Sequence, residues 1–133
     1  MLELTLPYPP SVNHMYRHSR RGVFLTPEVK QYRSLVRLML RGAKVEPVAG
    51  DVVLEIYLHP PDRRKRDCDN AIKQVQDALQ AEKHRGIVVS RHHAFEDDSQ
   101  VKRLIVEKRE PVPGGKIIVR ITEYDARVET LPG

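Results

Sequence analysis

Between Asp51 and His59 the side chains alternate with a period of two, placing Val52, Leu54, Ile56 and Leu58 on one face and Val53, Glu55, Tyr57 and His59 on the other. That pattern is a β-strand with a face against a core. Pro60-Pro61 ends it, because proline donates no backbone hydrogen bond and keeps the residue before it out of the helical region. The chain leaves this strand through Asp62-Arg63-Arg64-Lys65-Arg66-Asp67-Cys68-Asp69-Asn70, which sets two carboxylates one residue apart behind four consecutive cations. Ala71, Ile72, Val75, Ala78 and Leu79 then repeat at helical spacing, so the carboxylates stand at the start of a helix that frays near Lys83.

The remaining elements fall around this strand and helix. Leu2 to Leu6 alternates as a short strand, stopped by Pro7, Pro9 and Pro10. From Ser11 to Leu25 there is no clean periodicity and a loop is expected, carrying a second basic cluster, Tyr16-Arg17-His18 with Arg20-Arg21. Thr26-Pro27-Glu28 starts a helix, with a hydroxyl able to cap and proline at the first position, running to about Gly42. Its buried stripe is Val29, Tyr32, Val36, Met39 and Ala43, while Lys30, Arg33, Arg37 and Arg41 form a solvated face. Gly86 to Val89 fits a short strand and Ser90 to His93 a loop; strands from Val101 to Glu107 and Lys116 to Glu123 are joined through Pro111, Pro113, Gly114 and Gly115. The tail, 125–133, has little to bury and is expected to be mobile.

A length of 133 residues fits one compact domain, 1–133. Its net charge of +5 favours polyanionic partners without specifying any chemistry. Cys68 is the single cysteine, which excludes an intrachain disulfide and a multi-cysteine zinc site. No apolar signal segment opens at Met1-Leu2-Glu3 and no stretch approaches a membrane span of ~18 apolar residues, so a soluble, cytoplasmic protein without a membrane partner is expected.

Asp67 and Asp69, two apart in an extended segment, would project to one side and meet at one hard cation. Asp97-Asp98, just before a predicted strand, offers a third carboxylate. An all-oxygen site of this kind suits Mg²⁺, with Mn²⁺ as a substitute, and Lys73 lies one helical turn beyond Asp69 with an ammonium able to reach it. Each piece also has a plainer reading. Asp69 can be an N-cap, Asp67 a partner of its arginine neighbours, Asp97-Asp98 a turn, Lys73 half of an i, i+4 ion pair, and Asn70 a helix-start residue. Taken together with the cations Arg63, Arg64, Lys65 and Arg66, the residues describe a metal-dependent, nuclease-like site.

In motif order the chain resembles the RusA-like endodeoxyribonucleases, which resolve Holliday junctions. Pro9-Pro10-Ser11-Val12-Asn13 with Tyr16-Arg17-His18 resembles the family's opening motif; Asp62 to Asn70, then Lys73 and Asp77-Ala78-Leu79, its central one; Asp97-Asp98-Ser99-Gln100-Val101 its third; and Gly114-Gly115 before Ile121-Thr122-Glu123 its end. The resemblance spans residues 2–124. It implies an α+β fold in which a mixed sheet of about four strands packs with two main helices. It implies that Asp67, Asp69 and Asp98 are catalytic metal carboxylates with Mg²⁺ as cofactor, that Lys73 is an essential lysine, and that the protein is a homodimer acting on four-way junctions in bacteria or their prophages. Asn70 and Asp97 are accessory candidates, and Arg17, Arg20, Arg21 and Arg63 to Arg66 are candidates for holding DNA.

The chain departs from the family in the segment Gln80 to Glu96, longer than the compact link expected there and carrying His84, His92 and His93 with Lys83, Arg85 and Arg91. These are read as exposed loop residues ahead of DNA or metal contacts. His14 and His18, at i, i+4, lack a nearby third zinc ligand. His59 is read as a sheet-face residue and Cys68 as a packing residue. A two-fold junction calls for two equivalent sites, and Met39, Leu40 or apolar strand faces are candidate dimer contacts. Competing readings are a Mg²⁺-dependent nuclease for flaps or forks, a non-catalytic DNA-binding protein, and a basic module that meets an acidic protein.

Overall fold

The computed structural model describes residues 1–11, 15–90 and 92–127. In chain order the elements are β1 (Leu2–Leu6), β2 (Tyr16–Ser19), β3 (Gly22–Leu25), α1 (Pro27–Gly42), β4 (Val52–His59), α2 (Cys68–Leu79), β5 (Lys83–His84), β6 (Ile87–Val88), β7 (Val101–Lys108) and β8 (Lys116–Glu123). The main sheet has four strands in the order β1-β8-β4-β7. β8 runs antiparallel to both of its neighbours, whereas β4 and β7 are parallel. This is the mixed α+β sheet with two helices that the resemblance implies. A parallel pair requires a long crossover, which α2 and the segment after it supply.

The core lies between one face of the sheet and the two helices. Val52, Leu54, Ile56 and Leu58 of β4 meet Ile117, Val119 and Ile121 of β8 and Leu6 of β1 there, all buried. α2 contributes Ala71, Val75, Ala78 and Leu79 as expected, with Ile72 partly covered. It ends at Leu79 rather than near Lys83. Phe95, fully buried, plugs the sheet end of the crossover, where Ala94 N–H donates to Leu79 O and Ala81 N–H to Phe95 O.

α1 begins at Pro27, but the Thr26 hydroxyl makes no capping hydrogen bond. Its buried stripe is Val29, Tyr32, Val36 and Leu40, so the last contact falls one residue beyond the expected Met39, and Ala43 is exposed at the C-cap. A 3.6-residue repeat drifts toward i+4 over three turns, which explains the shift. Leu40 is therefore unavailable as a dimer contact, and Met39 packs partly against the core. Lys44, at φ 53°, closes the helix, with its N–H on Arg41 O and Val45 N–H on Leu40 O, the pattern of a Schellman motif.

Polar side chains tie the proline-rich segment to both helices. Tyr32 Oη donates to Pro7 O at 2.7 Å and Gln74 Nε2 to Pro10 O at 3.0 Å. Gly115, at φ +72°, passes so close that a Cβ there would lie 2.9 Å from Tyr8 Cβ and 3.1 Å from Pro61 Cδ. Three segments thus converge where the basic loop begins.

Two hairpins stand outside the sheet. Residues expected to be a loop form β2 and β3, paired from Tyr16↔Leu25 to Ser19↔Gly22. β5 and β6 form the second; of the strand expected over Gly86 to Val89 only Ile87–Val88 is in the ladder, with Gly86 in the turn, and Lys83–His84 is its partner. The part of the tail at 128–133, Arg91, and the motif residues Val12, Asn13 and His14 lie outside the described residues. Among the described residues no helix is long and apolar enough to cross a membrane.

Candidate nuclease site

The two central aspartates occupy the first turn of α2. Asp67 is its N-cap, with Oδ1 accepting the Asp69 N–H at 3.0 Å. The extended arrangement expected for Asp67 to Asp69 is therefore replaced by a cap and a helical turn, and the cap is Asp67 rather than Asp69. Both carboxylates remain exposed at the positive end of the helix dipole, where negative charge is favoured. Cys68 between them packs partly against the core, as a small apolar residue would. Asp67 and Asn70 line a cleft of about 360 Å³ together with Lys65 and Arg66.

The basic loop before this turn is internally ordered. Arg66 Nη1 lies 2.7 Å from Asp62 Oδ1, and the Arg64 N–H donates to the same oxygen at 2.9 Å. The Arg66 hydrogen bond, followed by that from Arg64, holds the Asp62 carboxyl down at about 2. Arg63 makes only a loose contact with Glu110 at 3.7 Å, both side chains being solvated. Arg64 and Lys65 are exposed and carry no ion pair among the described residues. Arg17, Arg20 and Arg21 are exposed on the β2–β3 hairpin, where Arg17 faces Phe24 across the ladder. Arg66 apart, the candidate phosphate-binding cations are thus available to a ligand.

A second cleft, of about 410 Å³, opens farther along α2 and is bordered by Lys73, Asp77, Asp97, Asp98, Arg33 and Arg37. Tyr16, from the foot of the β2–β3 hairpin, reaches the same space. Lys73 pairs forward with Asp77, Nζ to Oδ2 at 3.5 Å, instead of back toward Asp69. Asp77 also accepts from Arg33 Nη2 at 3.1 Å. Asp98 opens the short 3-10 turn Asp98–Gln100 and is exposed. Gln100 fixes that turn: its Oε1 accepts from the Glu96 and Asp97 N–H groups, and its Nε2 donates to Val48 O and Gly50 O. The Ser99 hydroxyl, then a hydrogen bond shared with Asp98, keep the Asp97 carboxyl below the usual carboxylate range.

Lys73 and Asp98 therefore share one cleft, while Asp67 lines the other and Asp69 is exposed on the turn between Asp67 and Lys73. Four residues of helix, about 6 Å of rise, separate Asp69 from Lys73. Among the described residues no three His, Cys, Asp or Glu side chains are gathered closely enough to hold one metal ion. The donors themselves fit a hard divalent cation: Asp69 and Asp98 are exposed carboxylates with no ion pair among the described residues, and oxygen is the ligand such ions take.

Several residues with roles at this site lack a sequence signal. Arg33 and Arg37, expected on a solvated face, have side chains only 14% and 17% exposed and lie against Asp77 and Glu82. Burial lowers the Arg37 pKa, with Glu82 opposing that shift. Asp77 carries a sequence signal only as part of a motif, and nothing in the sequence marks Gln74 or Gln100 as a structural clamp. The i, i+4 ion pair expected for Lys73 forms with Asp77 rather than with Asp69, and that spacing is the one sequence feature able to point to any of these contacts. His59 sits at the strand end with Nδ1 2.8 Å from Glu110 O, as a sheet-face residue. His84 is exposed, His92 and His93 are half-buried, and burial lowers the His93 pKa.

Residues 7–122 match the family model described as Endodeoxyribonuclease RusA. The crossover junction endodeoxyribonuclease rusA of Enterobacteria phage 82 is 36% identical over 121 residues, covering 90% of this chain and 92% of that protein. The crossover junction endodeoxyribonucleases RusA of Shigella sonnei (strain Ss046) and Escherichia coli (strain K12) match with the same identity and coverage.

Proposed function

The chain belongs to the RusA family of endodeoxyribonucleases, and on that premise we propose that it resolves four-way DNA junctions by hydrolysing one phosphodiester in each of two opposed strands. Its role is then in DNA recombination and repair. The observation that carries the reading is the placement of Lys73, which shares a cleft with Asp98 and stands one helical turn from Asp69. Asp67, Asp69 and Asp98 would hold Mg²⁺, or Mn²⁺ in its place, once drawn together from their separate positions on the two clefts and the turn between them. When bound, such an ion lowers the pKa of a coordinated water and stabilises the departing oxygen.

The chain's own residues supply the remainder. Lys73 offsets negative charge on the scissile phosphate, because phosphoryl transfer depends chiefly on positioning and electrostatics. Asp77 holds the ammonium on the cleft side of α2. Arg64 and Lys65 at one end, with Arg17, Arg20 and Arg21 on the hairpin, take backbone phosphates and release counterions, so binding weakens steeply with salt. Asn70 and Asp97 flank the carboxylates as accessory groups. Two cuts in strands of like polarity require two equivalent sites, and a two-fold homodimer provides them.

The test is cleavage of a fixed synthetic junction and a linear duplex of the same sequence, with and without Mg²⁺. Paired, symmetric nicks that ligase reseals are expected on the junction alone. Asp67→Asn, Asp69→Asn and Asp98→Asn should abolish cutting and spare binding. Full activity in all three variants would overturn the site assignment.

A further inference from the structure

Lys83 to Val88, which lie in the stretch between α2 and the Asp97-Asp98 turn, fold into a tight hairpin anchored at its base and exposed at its tip. Val89 N–H donates to Glu82 O at 2.8 Å and Glu82 N–H to Ser90 Oγ at 2.9 Å, while Phe95 and Ala94 just beyond are fully buried. The tip carries no core. Lys83, His84 and Ile87 are exposed, Ile87 at 69%, and Val89 beyond the ladder is 55% exposed. Two ladder pairs with no buried face add little to stability, so packing does not account for the hairpin.

Its turn is telling. Arg85 and Gly86 have φ of 51° and 79°, the signature of a type I′ turn, whose first central position favours asparagine, aspartate or glycine. Arginine there is strained against its own Cβ, and its side chain is solvent-exposed. The ladder pairs Lys83 with Val88 and His84 with Ile87, which puts the two pairs on opposite faces. Lys83 borders the cleft that holds Asp97 and Asp98, so the His84–Ile87 face is turned from it.

Resting on the nuclease reading above, we propose that the β5–β6 hairpin reads the branch point of the DNA, standing between two arms. Lys83 and Arg85 take phosphates, and Ile87 lodges against a base left without a stacking neighbour. Cations opposite phosphates supply affinity for any DNA. An apolar side chain favours DNA whose stacking is already broken, because a continuous duplex must first be unstacked to accept it. The hairpin therefore adds preference for branched over linear DNA.

Two variants separate this from folding. Arg85→Gly relieves the turn, so its melting temperature should equal or exceed wild type while junction affinity falls about fivefold and the salt slope of log K shrinks by about 0.9. Ile87→Ser should leave linear-duplex binding unchanged and narrow the junction-to-duplex affinity ratio at least about fivefold. Junction binding and cutting at wild-type levels in both variants overturns the inference, as does an equal loss on junction and duplex for Ile87→Ser. A wild-type chain that binds junctions preferentially but never cuts them defeats the nuclease reading alone, and the affinity ratio still decides the hairpin.

Discussion

Replacing Asp77 by asparagine isolates the electrostatic tie between the two helices from their packing. The carboxylate accepts from Arg33 at 3.1 Å and lies 3.5 Å from Lys73, with Asp77 and Arg33 side chains only 12% and 14% exposed. Asparagine keeps the volume, so no cavity opens, but its amide cannot neutralise either cation. Breaking a fully buried pair costs about 3–5 kcal/mol; the residual solvent here, and Lys73 at 58% exposure, reduce that to about 2 kcal/mol. For 133 residues the unfolding entropy is about 280 cal/mol/K at the midpoint, so the melting temperature should drop by about 7 °C. Thermal and urea unfolding of Asp77→Asn, Arg33→Ala and the double variant supply the assay. The singles should be non-additive by about 1 kcal/mol or more. A fall under about 2 °C with strict additivity would refute the claim that this pair fastens α1 to α2.

Asp67 combines a cap with a proposed ligand, and two variants separate the roles. Asp67→Ala should cost about 1 kcal/mol and Asp67→Asn almost nothing, since asparagine caps as well, yet both should abolish cleavage; an active Asp67→Asn protein would leave capping as its whole role. Lys44→Gly relaxes the left-handed closure of α1 and should raise stability by about 0.5 kcal/mol after the added freedom of the unfolded chain is subtracted, read from urea midpoints. The Asp62 carboxyl, depressed from 3.8 to about 2, stabilises the basic loop fully above the unfolded value and loses that contribution as pH falls through the folded one. Carbon-13 titration of its side chain should place the midpoint near 2, and Arg66→Ala should return it toward 3.8.

The sheet strands and the two helices were legible because burial on one face imprints a period on the sequence: β4 buries Val52, Leu54, Ile56 and Leu58 on one face, although Tyr57 on the other is buried as well, and α2 repeats its apolar residues each turn. The hairpins were not fully legible for the same reason reversed. β2 and β3 bury almost nothing, so Arg17 and Phe24 leave no alternation to read, and the Arg85-Gly86 turn has arginine where asparagine, aspartate or glycine is usual. Arg33 looked solvated because its partner, Asp77, lies 44 residues away on another helix. The candidate site was legible as composition in order, with Asp67, Asp69, Lys73 and Asp98 marked out. The division that puts Asp67 on one cleft and Lys73 and Asp98 on the other was not, because it depends on Asp67 turning into the helix cap and on Gln100 clamping the 3-10 turn.

β8, the last strand among the described residues, fills an inner position of the sheet, between β1 and β4. During synthesis the ribosome must release β8 before β1 has its partner in the sheet, and until then β4 has only β7 beside it. Such late, distant pairing slows folding and leaves an unfinished edge open to neighbouring molecules. Pulse-labelled hydrogen exchange during refolding should accordingly find the amides of β1 among the last to be protected, with those of α2 ahead of them.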